Sequence, residues 1–331
     1  MDQTTQLRPG GPRPFRPVLA ALAAVALVVT ACGAAAPSAP AVTDPYEVTS
    51  AVFDAPMERV KINVGITATG AEPVEITPDA IELIVDTTAG KGSLHVSLPA
   101  DALGGDAAAL GALGGGDTID IDALFDGQGL YVKSPLAAAL LPFLSMQGIP
   151  VPSGDLTGWL KLGTAEEFSG IAGAIGQAPE ASAMPGGDLE ELSVADLKQK
   201  LEESGVTITL VGREQRNGVE SDHLLVNVDL EKLQASELAK GLPTDQISGM
   251  AGAAANGTLS ADVWLDASNG RPNEIAIHAG DGTDKADITV LISDPGDVSL
   301  DAPASFVEVP LAPMLVPLIE QFGGALGSPS P

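Results

Sequence analysis

The sequence predicts an α+β fold built around one large antiparallel β-sheet, and two observations lead to this prediction. Apolar and polar residues alternate through about eleven segments, which is typical of strands that bury one face. Buried parallel strands would instead form continuous apolar runs. Turn-forming pairs separate several of the segments, at Asn217-Gly218, Asn269-Gly270 and Asp281-Gly282, and favour hairpins between neighbouring strands.

The predicted strands are defined by their apolar positions. They lie at residues 62–66, 81–85, 94–98, 119–121, 130–132, 159–160, 206–210, 224–228, 259–265, 275–277 and 288–292. Because side chains alternate between the two faces of a strand, five apolar residues should share one face and line a single interior that is shielded from water: Val64, Val85, Val96, Leu265 and Ile277. Three polar residues should face solvent: Lys61, His95 and Asp262.

Capping signals predict five short helices over the apolar face. They begin near residues 44, 134, 164, 193 and 230, and the fourth ends at Gly205. The second follows Ser134-Pro135 and carries the densest group of large apolar side chains in the chain: Leu136, Leu140, Leu141, Phe143 and Leu144. Pro142 should bend or end this helix because it lacks a backbone donor. We expect the segment to form a wall or lid over the sheet.

The N-terminal segment is typical of an export signal. Arg8, Arg13 and Arg16 precede fourteen uncharged residues, 18–31, a run too short to span a bilayer as a helix. The run ends in Val29-Thr30-Ala31-Cys32, which resembles the lipobox of bacterial lipoproteins, where the Cys thiol carries diacylglycerol. An ordinary signal peptide with an incidental Cys is the alternative. The lipoprotein interpretation predicts that Cys32 is the lipidation site and that the protein is held on the extracytoplasmic face of the cell membrane.

These features divide the chain into four parts. Residues 1–31 form the signal peptide, 32–43 an acylated N-terminus and flexible tether, 44–309 the folded domain, and 310–331 a C-terminal tail. Two Gly-rich stretches, 99–117 and 176–190, are expected to be surface insertions. Pro313, Pro317 and Glu320 argue against a membrane-spanning helix in the tail.

Charge and composition exclude several function classes. The chain has 44 acidic against 16 basic residues, a net charge of −28, which argues against nucleic-acid binding and against docking by charge on an anionic membrane. A single Cys excludes an internal disulfide and Cys-rich zinc sites. The sequence contains none of the common hydrolase, metalloprotease or nucleotide-binding motifs. We therefore expect no catalytic residues, no metal and no cofactor.

The three His residues are expected to be structural or solvated. His95 is predicted on the polar face of its strand, whereas His223 and His278 are placed at strand ends. Trp159 is expected to fill the core between sheet and helix. Small helical side chains over a wide sheet can leave space for a lipid, and a fully packed dry core is the alternative.

Four stretches together resemble one protein group. They are residues 126–133 with 158–162, residues 218–230, residues 263–272, and residues 288–303. Their order and spacing resemble actinobacterial lipoproteins of the LppX/LprG group, within the LolA-like superfamily. The resemblance implies a curved half-barrel sheet that helices close around an apolar cavity. Its members bind lipids or lipoglycans and are implicated in moving them across the envelope. The two Gly-rich insertions are longer than this group would lead one to expect.

The resemblance gives a specific expectation for function. The chain should bind a lipid or lipoglycan and carry or present it in the cell envelope, with an envelope transporter as a candidate partner. A ligand-free scaffold or sensor that acts through protein–protein contacts is the alternative. The expected cavity residues are Val64, Ile66, Leu83, Val85, Val96, Leu136, Leu140, Phe143, Leu144, Val263, Leu265 and Ile277.

Overall fold

A computed structural model describes most of the predicted folded domain. The described residues are 44–47, 57–69, 73–99, 118–137, 139, 154–164, 193–236, 258–281 and 284–309. Several expectations fall outside them: the export signal with Cys32, the third helix, the tail from residue 310, and nearly all of the two Gly-rich stretches.

The described residues form one sheet of thirteen strands. The strands are β1 (Arg59–Thr69), β2 (Val74–Ile76), β3 (Ile81–Asp86), β4 (Lys91–Pro99), β5 (Thr118–Phe125), β6 (Gly129–Lys133), β7 (Leu160–Thr164), β8 (Val206–Arg216), β9 (Val219–Asp229), β10 (Thr258–Asp266), β11 (Pro272–Asp281), β12 (Asp284–Ser293) and β13 (Val307–Glu308). Their order is β13-β7-β6-β5-β4-β3-β1-β12-β11-β10-β9-β8, and β2 pairs with β1 beside β3. The pairs are antiparallel except β13 with β7, which is parallel.

The predicted large antiparallel sheet is confirmed. Ten of the eleven predicted segments lie wholly within a strand, and of the eleventh, residues 159–160, only Leu160 belongs to β7. Two further strands, β2 and β13, were not predicted. Both are only two or three residues long, which is too short for an alternating pattern to be visible. At the β8–β9 hairpin, Asn217 and Gly218 have φ angles of 53° and 79°. Positive φ at both positions is what a two-residue hairpin turn requires, so this predicted turn is confirmed.

One face of the sheet is apolar across nearly its whole width. Because residues directly opposite each other in neighbouring strands share a face, the strand register traces a continuous aliphatic row. From β1 towards β8, the row runs through Val64, Val290, Ile275, Val263, Leu224 and Leu210. From β1 towards β6, it runs through Ile62, Leu83, Leu94, Ala123 and Val132. We call this the apolar face and the other side the polar face.

The main core lies on the apolar face of the three central strands, β1, β12 and β11. It contains Ile62, Val64, Ile66, Ile275, Ile277, Ile288, Val290 and Ile292, all buried. The five apolar residues predicted to share one face do share it. Val64, Leu265 and Ile277 are buried there, whereas Val85 and Val96 are half-buried. Lys61, His95 and Asp262 lie on the opposite face and are partly exposed.

A C-terminal strap, residues 294–309, crosses the polar face from β12 to β7. The Arg59 guanidinium donates hydrogen bonds to the carbonyl oxygens of Gly296 and Val298, at 3.2 and 2.6 Å. Further along, Lys91 pairs with Asp301 at 2.7 Å. The strap ends as β13, where the Val307 amide donates to the Trp159 carbonyl oxygen at 2.9 Å.

The strap covers a second, smaller core. Leu300 packs with Ile84, Leu124 and Tyr131, and Trp159 lies against the same cluster. The expectation of a single interior is therefore wrong in part, because the polar face also buries apolar side chains where the strap covers it. Trp159 does fill a core, but that core lies under the strap rather than between the sheet and a helix.

Two helices pack at the β8–β9 side of the sheet. Helix α1 (Val194–Glu203) begins as predicted at Ser193, whose Oγ accepts a hydrogen bond from the Asp196 amide at 3.2 Å. Helix α2 (Leu230–Ala235) is capped by Asp229. Residues 45–47 and 135–137 are also helical. No helix within the described residues is long and apolar enough to cross a membrane.

Gly205, which follows α1, is expected to be intolerant of any side chain. Its φ is +82°, and an added Cβ would lie 2.7 Å from Lys232 Cβ and 2.9 Å from the Asp229 carbonyl oxygen. Gly218 has a similar φ of +79° but open space around it. Gly218→Ala should cost about 1 kcal/mol through backbone strain. Gly205→Ala should cost about 1–3 kcal/mol more through overpacking, measured by chemical unfolding. Equal losses in the two variants would contradict this account.

Candidate functional site

The apolar face is the candidate functional site because its burial is uneven. The central strands are buried, whereas two flanking regions are only half-buried. The β3–β5 flank consists of Ile81, Leu83, Val85, Leu94, Val96, Leu98 and Ile121. The β8–β10 flank consists of Ile208, Leu210, Val226, Val228, Leu259 and Val263. Within the part of the chain that the structure describes, each flank is thus a patch of large aliphatic side chains that is covered incompletely.

Local sequence explains why these flanks are so uniform in chemistry. Their strands alternate branched aliphatic residues with polar ones, and branched side chains favour the pleated conformation. In β8, for example, Val206, Ile208 and Leu210 point to the apolar face, whereas Thr207 and Thr209 point away. A surface of this kind offers dispersion contacts and hydrophobic burial without directional hydrogen bonds, which suits hydrocarbon chains.

A charged pair marks one end of the β8–β10 flank. A register shift between Leu210 and Gly212 interrupts the alternation of β8 and places Arg213 opposite Asp222, on the apolar face. The guanidinium donates two hydrogen bonds to the Asp222 carboxylate, at 2.8 and 2.9 Å. The hydrogen bond to Asp222 raises the pKa of Arg213 above its usual range, so the guanidinium stays charged. The aliphatic surface therefore ends at a fixed polar boundary.

The predicted cavity residues separate into three groups in the structure. Val64, Ile66, Leu265 and Ile277 are buried on the apolar face. Leu83, Val85, Val96 and Val263 lie on its half-buried flanks. Leu136 is half-buried in the short helical stretch after Ser134, and Leu140, Phe143 and Leu144 lie outside the described residues. The same alternation in the sequence also marks the flank residues that were not among the predicted cavity residues, such as Leu94, Ile121 and Val226.

Each of the three His residues contacts a carboxylate on the polar face. His223 and His278 lie inside β9 and β11, so their predicted position at strand ends is wrong. On the polar face, His95 contacts Asp122 at 2.7 Å, and His223 and His278 both contact Asp262. The residues that the structure describes include no group of three His, Cys, Asp or Glu side chains arranged to hold a metal ion.

Comparisons with known proteins return only distant matches. No family model matches the chain, and no curated protein matches it. Among solved structures, LppX of Mycobacterium tuberculosis is 12% identical with a TM-score of 0.33, and the match covers 74% of this chain and 90% of LppX. LprF of Mycobacterium bovis is 12% identical with a TM-score of 0.35, covering 89% of this chain and 100% of LprF.

A third match is a putative outer membrane lipoprotein-sorting protein domain from Vibrio parahaemolyticus. It is 10% identical with a TM-score of 0.22, and the match covers 77% of this chain and 94% of that domain. All three similarities are low, and the fold class rests on the sheet topology itself.

Proposed function

We propose that this chain is a membrane-anchored extracytoplasmic lipoprotein that binds a lipid or lipoglycan on its apolar face and carries or presents it in the cell envelope. The observation that supports this most is the pair of half-buried aliphatic flanks on either side of a buried centre. Contiguous apolar patches that a protein leaves partly open commonly mark binding sites. Acyl chains fit this chemistry because burying each CH₂ contributes about 0.8 kcal/mol.

Charge supports recognition through hydrocarbon rather than through an anionic headgroup. The chain carries a net charge of −28, so its overall field repels anions. At the end of the β8–β10 flank, the Arg213 guanidinium donates two short hydrogen bonds to Asp222, so its charge is already paired. Affinity for a lipid must therefore come mainly from the aliphatic flanks, with the headgroup near the polar boundary or in solvent.

The start of the described chain supports attachment beside the β8 edge. Tyr46 is 3% exposed, and its hydroxyl donates a hydrogen bond to Glu202 of α1 at 3.3 Å. Residues 33–45 connect this docked residue to Cys32. At about 3.3–3.6 Å per residue, the chain from Cys32 to Tyr46 spans at most about 50 Å. An acylated Cys32 would thus keep the α1 and β8 side of the domain within reach of the membrane.

The experiment that tests lipid binding is native mass spectrometry of the purified full-length protein after incubation with an envelope lipid extract. We expect a non-covalent adduct of lipid mass. Val226 and Asn227 are neighbours in β9 that point to the apolar and the polar face, which gives a matched pair of substitutions. Val226→Asp should lower occupancy at least tenfold, because it buries an unpaired charge. Asn227→Asp should keep the wild-type occupancy.

The same comparison on β4 tests the other flank. Leu94 points to the apolar face and Ser93 to the polar face. Leu94→Asp should reduce occupancy and Ser93→Asp should not, with thermal unfolding recorded to show that each variant is folded. Equal occupancy within both pairs would reject the apolar face as the site. A clean protein mass for wild type would instead favour the ligand-free scaffold or sensor.

A further inference from the structure

The polar face of the β8–β12 half carries a row of alternating carboxylates and imidazoles. One member comes from each of five adjacent strands: Glu214, His223, Asp262, His278 and Asp287. The row lies behind the β8–β10 flank, because Leu224, Val263 and Ile277 of the same strands point to the apolar face. It therefore links, side chain to side chain, the strands that form one half of the sheet.

The contacts within the row are short. His223 Nε2 lies 2.6 Å from Asp262 Oδ1, and His278 Nε2 lies 2.9 Å from Asp262 Oδ2. His278 Nδ1 lies 2.6 Å from Asp287 Oδ1. At the β8 end, His223 Nδ1 is 3.4 Å from Glu214 Oε1. Asp262, the central member, thus lies within hydrogen-bond distance of both imidazoles.

The hydrogen bonds that His278 can donate depend on its protonation state. Both ring nitrogens lie within hydrogen-bond distance of a carboxylate oxygen, and carboxylates only accept. A neutral imidazole has one N–H donor, so it can satisfy Asp262 or Asp287 but not both. The other contact would then place a nitrogen lone pair against a carboxylate oxygen. Only the imidazolium form donates to both strands at once.

Other charged groups on the same face surround the row. Arg216 and Glu274 form an ion pair beside Asp262, and Lys285 lies two residues from Asp287 on β12. Partial burial lowers the pKa of His278, but its hydrogen bonds to Asp287 and Asp262 outweigh this effect and raise the pKa above its ordinary value. The imidazolium is therefore favoured in the folded protein.

We propose that this row is a pH-responsive brace for the β8–β12 half of the sheet, with His278 as its titrating member. While His278 is an imidazolium, it joins β10 and β12 through β11. Its deprotonation releases one of the two contacts and loosens the strands that carry the β8–β10 flank on the other face. The brace therefore adds a control of sheet rigidity that is independent of what the apolar face binds.

The direction of the pH effect follows from linkage. A group whose pKa is higher in the folded state stabilises that state fully at pH values below its unfolded pKa, about 6.5 for His. This stabilisation is lost as the pH rises through the higher, folded-state pKa of His278. The β8–β12 half should therefore be most rigid in mildly acidic solution and should loosen as the solution becomes alkaline.

A direct test is NMR titration of the full-length protein labelled with ¹³C,¹⁵N-histidine. The chain has only three His residues, so His95→Gln, His223→Gln and His278→Gln variants assign every signal. We expect the His278 signal to show both nitrogens protonated up to a pH above the midpoint of the same protein unfolded in urea. Titration of His278 at the unfolded midpoint would overturn the proposal.

A second test measures rigidity through amide hydrogen exchange between about pH 6 and pH 8.5, expressed as protection factors to remove intrinsic pH effects. Protection in β10–β12 should fall about twofold to fivefold relative to β3–β4 across this range. His278→Gln should abolish that relative fall. His95→Gln is the matched control, because His95 has a similar Asp contact in the other half, and it should behave as wild type. A fall in His278→Gln equal to wild type would contradict the brace.

Discussion

Replacing Cys32 with alanine is expected to release the protein from the membrane completely. Cys32 is the only Cys in the chain, and it directly follows the uncharged run that we interpret as part of an export signal. The lipobox interpretation requires a thiol there, and no other side chain of the chain can take its place. The measurement is fractionation of cells that express each form, together with mass spectrometry of the N-terminal peptide. Wild type should be acylated and membrane-bound, whereas Cys32→Ala should be neither.

Ser38→Ala is the control for this experiment, since it changes the same segment and leaves the thiol in place. It should fractionate as wild type does. Acyl modification and membrane retention of Cys32→Ala would show that the anchor assignment is wrong. The result would then favour an ordinary signal peptide or another means of attachment.

Arg216→Met should lower the free energy of unfolding by about 3 kcal/mol, the largest stability loss that we expect from a single polar-face substitution. Glu274 is only 3% exposed, and the Arg216 guanidinium donates to both of its carboxylate oxygens, one at 2.7 Å. Removing one partner of a buried ion pair leaves an uncompensated charge, which typically costs about 3–5 kcal/mol. We expect a loss at the lower end of this range because the Arg216 side chain is 41% exposed.

Urea unfolding of three variants tests the origin of this loss. Lys198→Met removes an exposed ion pair with Glu202 and should cost about 0.5 kcal/mol or less. The double variant Arg216→Met, Glu274→Met should recover much of the stability, because it removes both charges. If Arg216→Met were no more harmful than Lys198→Met, or if the double variant recovered nothing, the buried carboxylate would not be the cause. The guanidinium also lies 4.2 Å from the Trp264 ring centre. Arg216→Lys keeps the positive charge but lacks the planar group that stacks on this ring, so its unfolding free energy separates the two contributions.

The strands and their facing were predictable because both depend on a local pattern. A strand of five residues or more shows its alternation in its own sequence, and burial of one face fixes which residues point inward. Ile62, Val64 and Ile66 illustrate this, since their positions on the apolar face follow from β1 alone. The start of α1 was also predictable, because Ser193 acts on an amide only three residues away.

The features that were missed depend on relationships between distant segments. The bulge in β8 reverses the facing that alternation assigns to Arg213, and only pairing with β9 reveals it. The imidazole–carboxylate row needs the register of five strands, although each His sits in its strand where a polar residue is expected. Trp264 points to the polar face yet is buried. The Arg216 side chain covers its ring as it reaches from β8 to Glu274 on β11.

The C-terminal strap has a consequence for the order in which the molecule is assembled. Val307 pairs with Leu160, a residue from near the middle of the chain, so this contact has a very large sequence separation. Contacts of this kind form slowly, since the intervening chain must first become ordered. Hairpins such as β8–β9 and β11–β12 can form as soon as their own residues have been synthesised, whereas the contact of the strap with β7 must wait until residues 294–309 follow. Ile84, Leu124 and Tyr131 should therefore stay accessible until folding ends, so their exposure identifies a newly made molecule that has not yet matured.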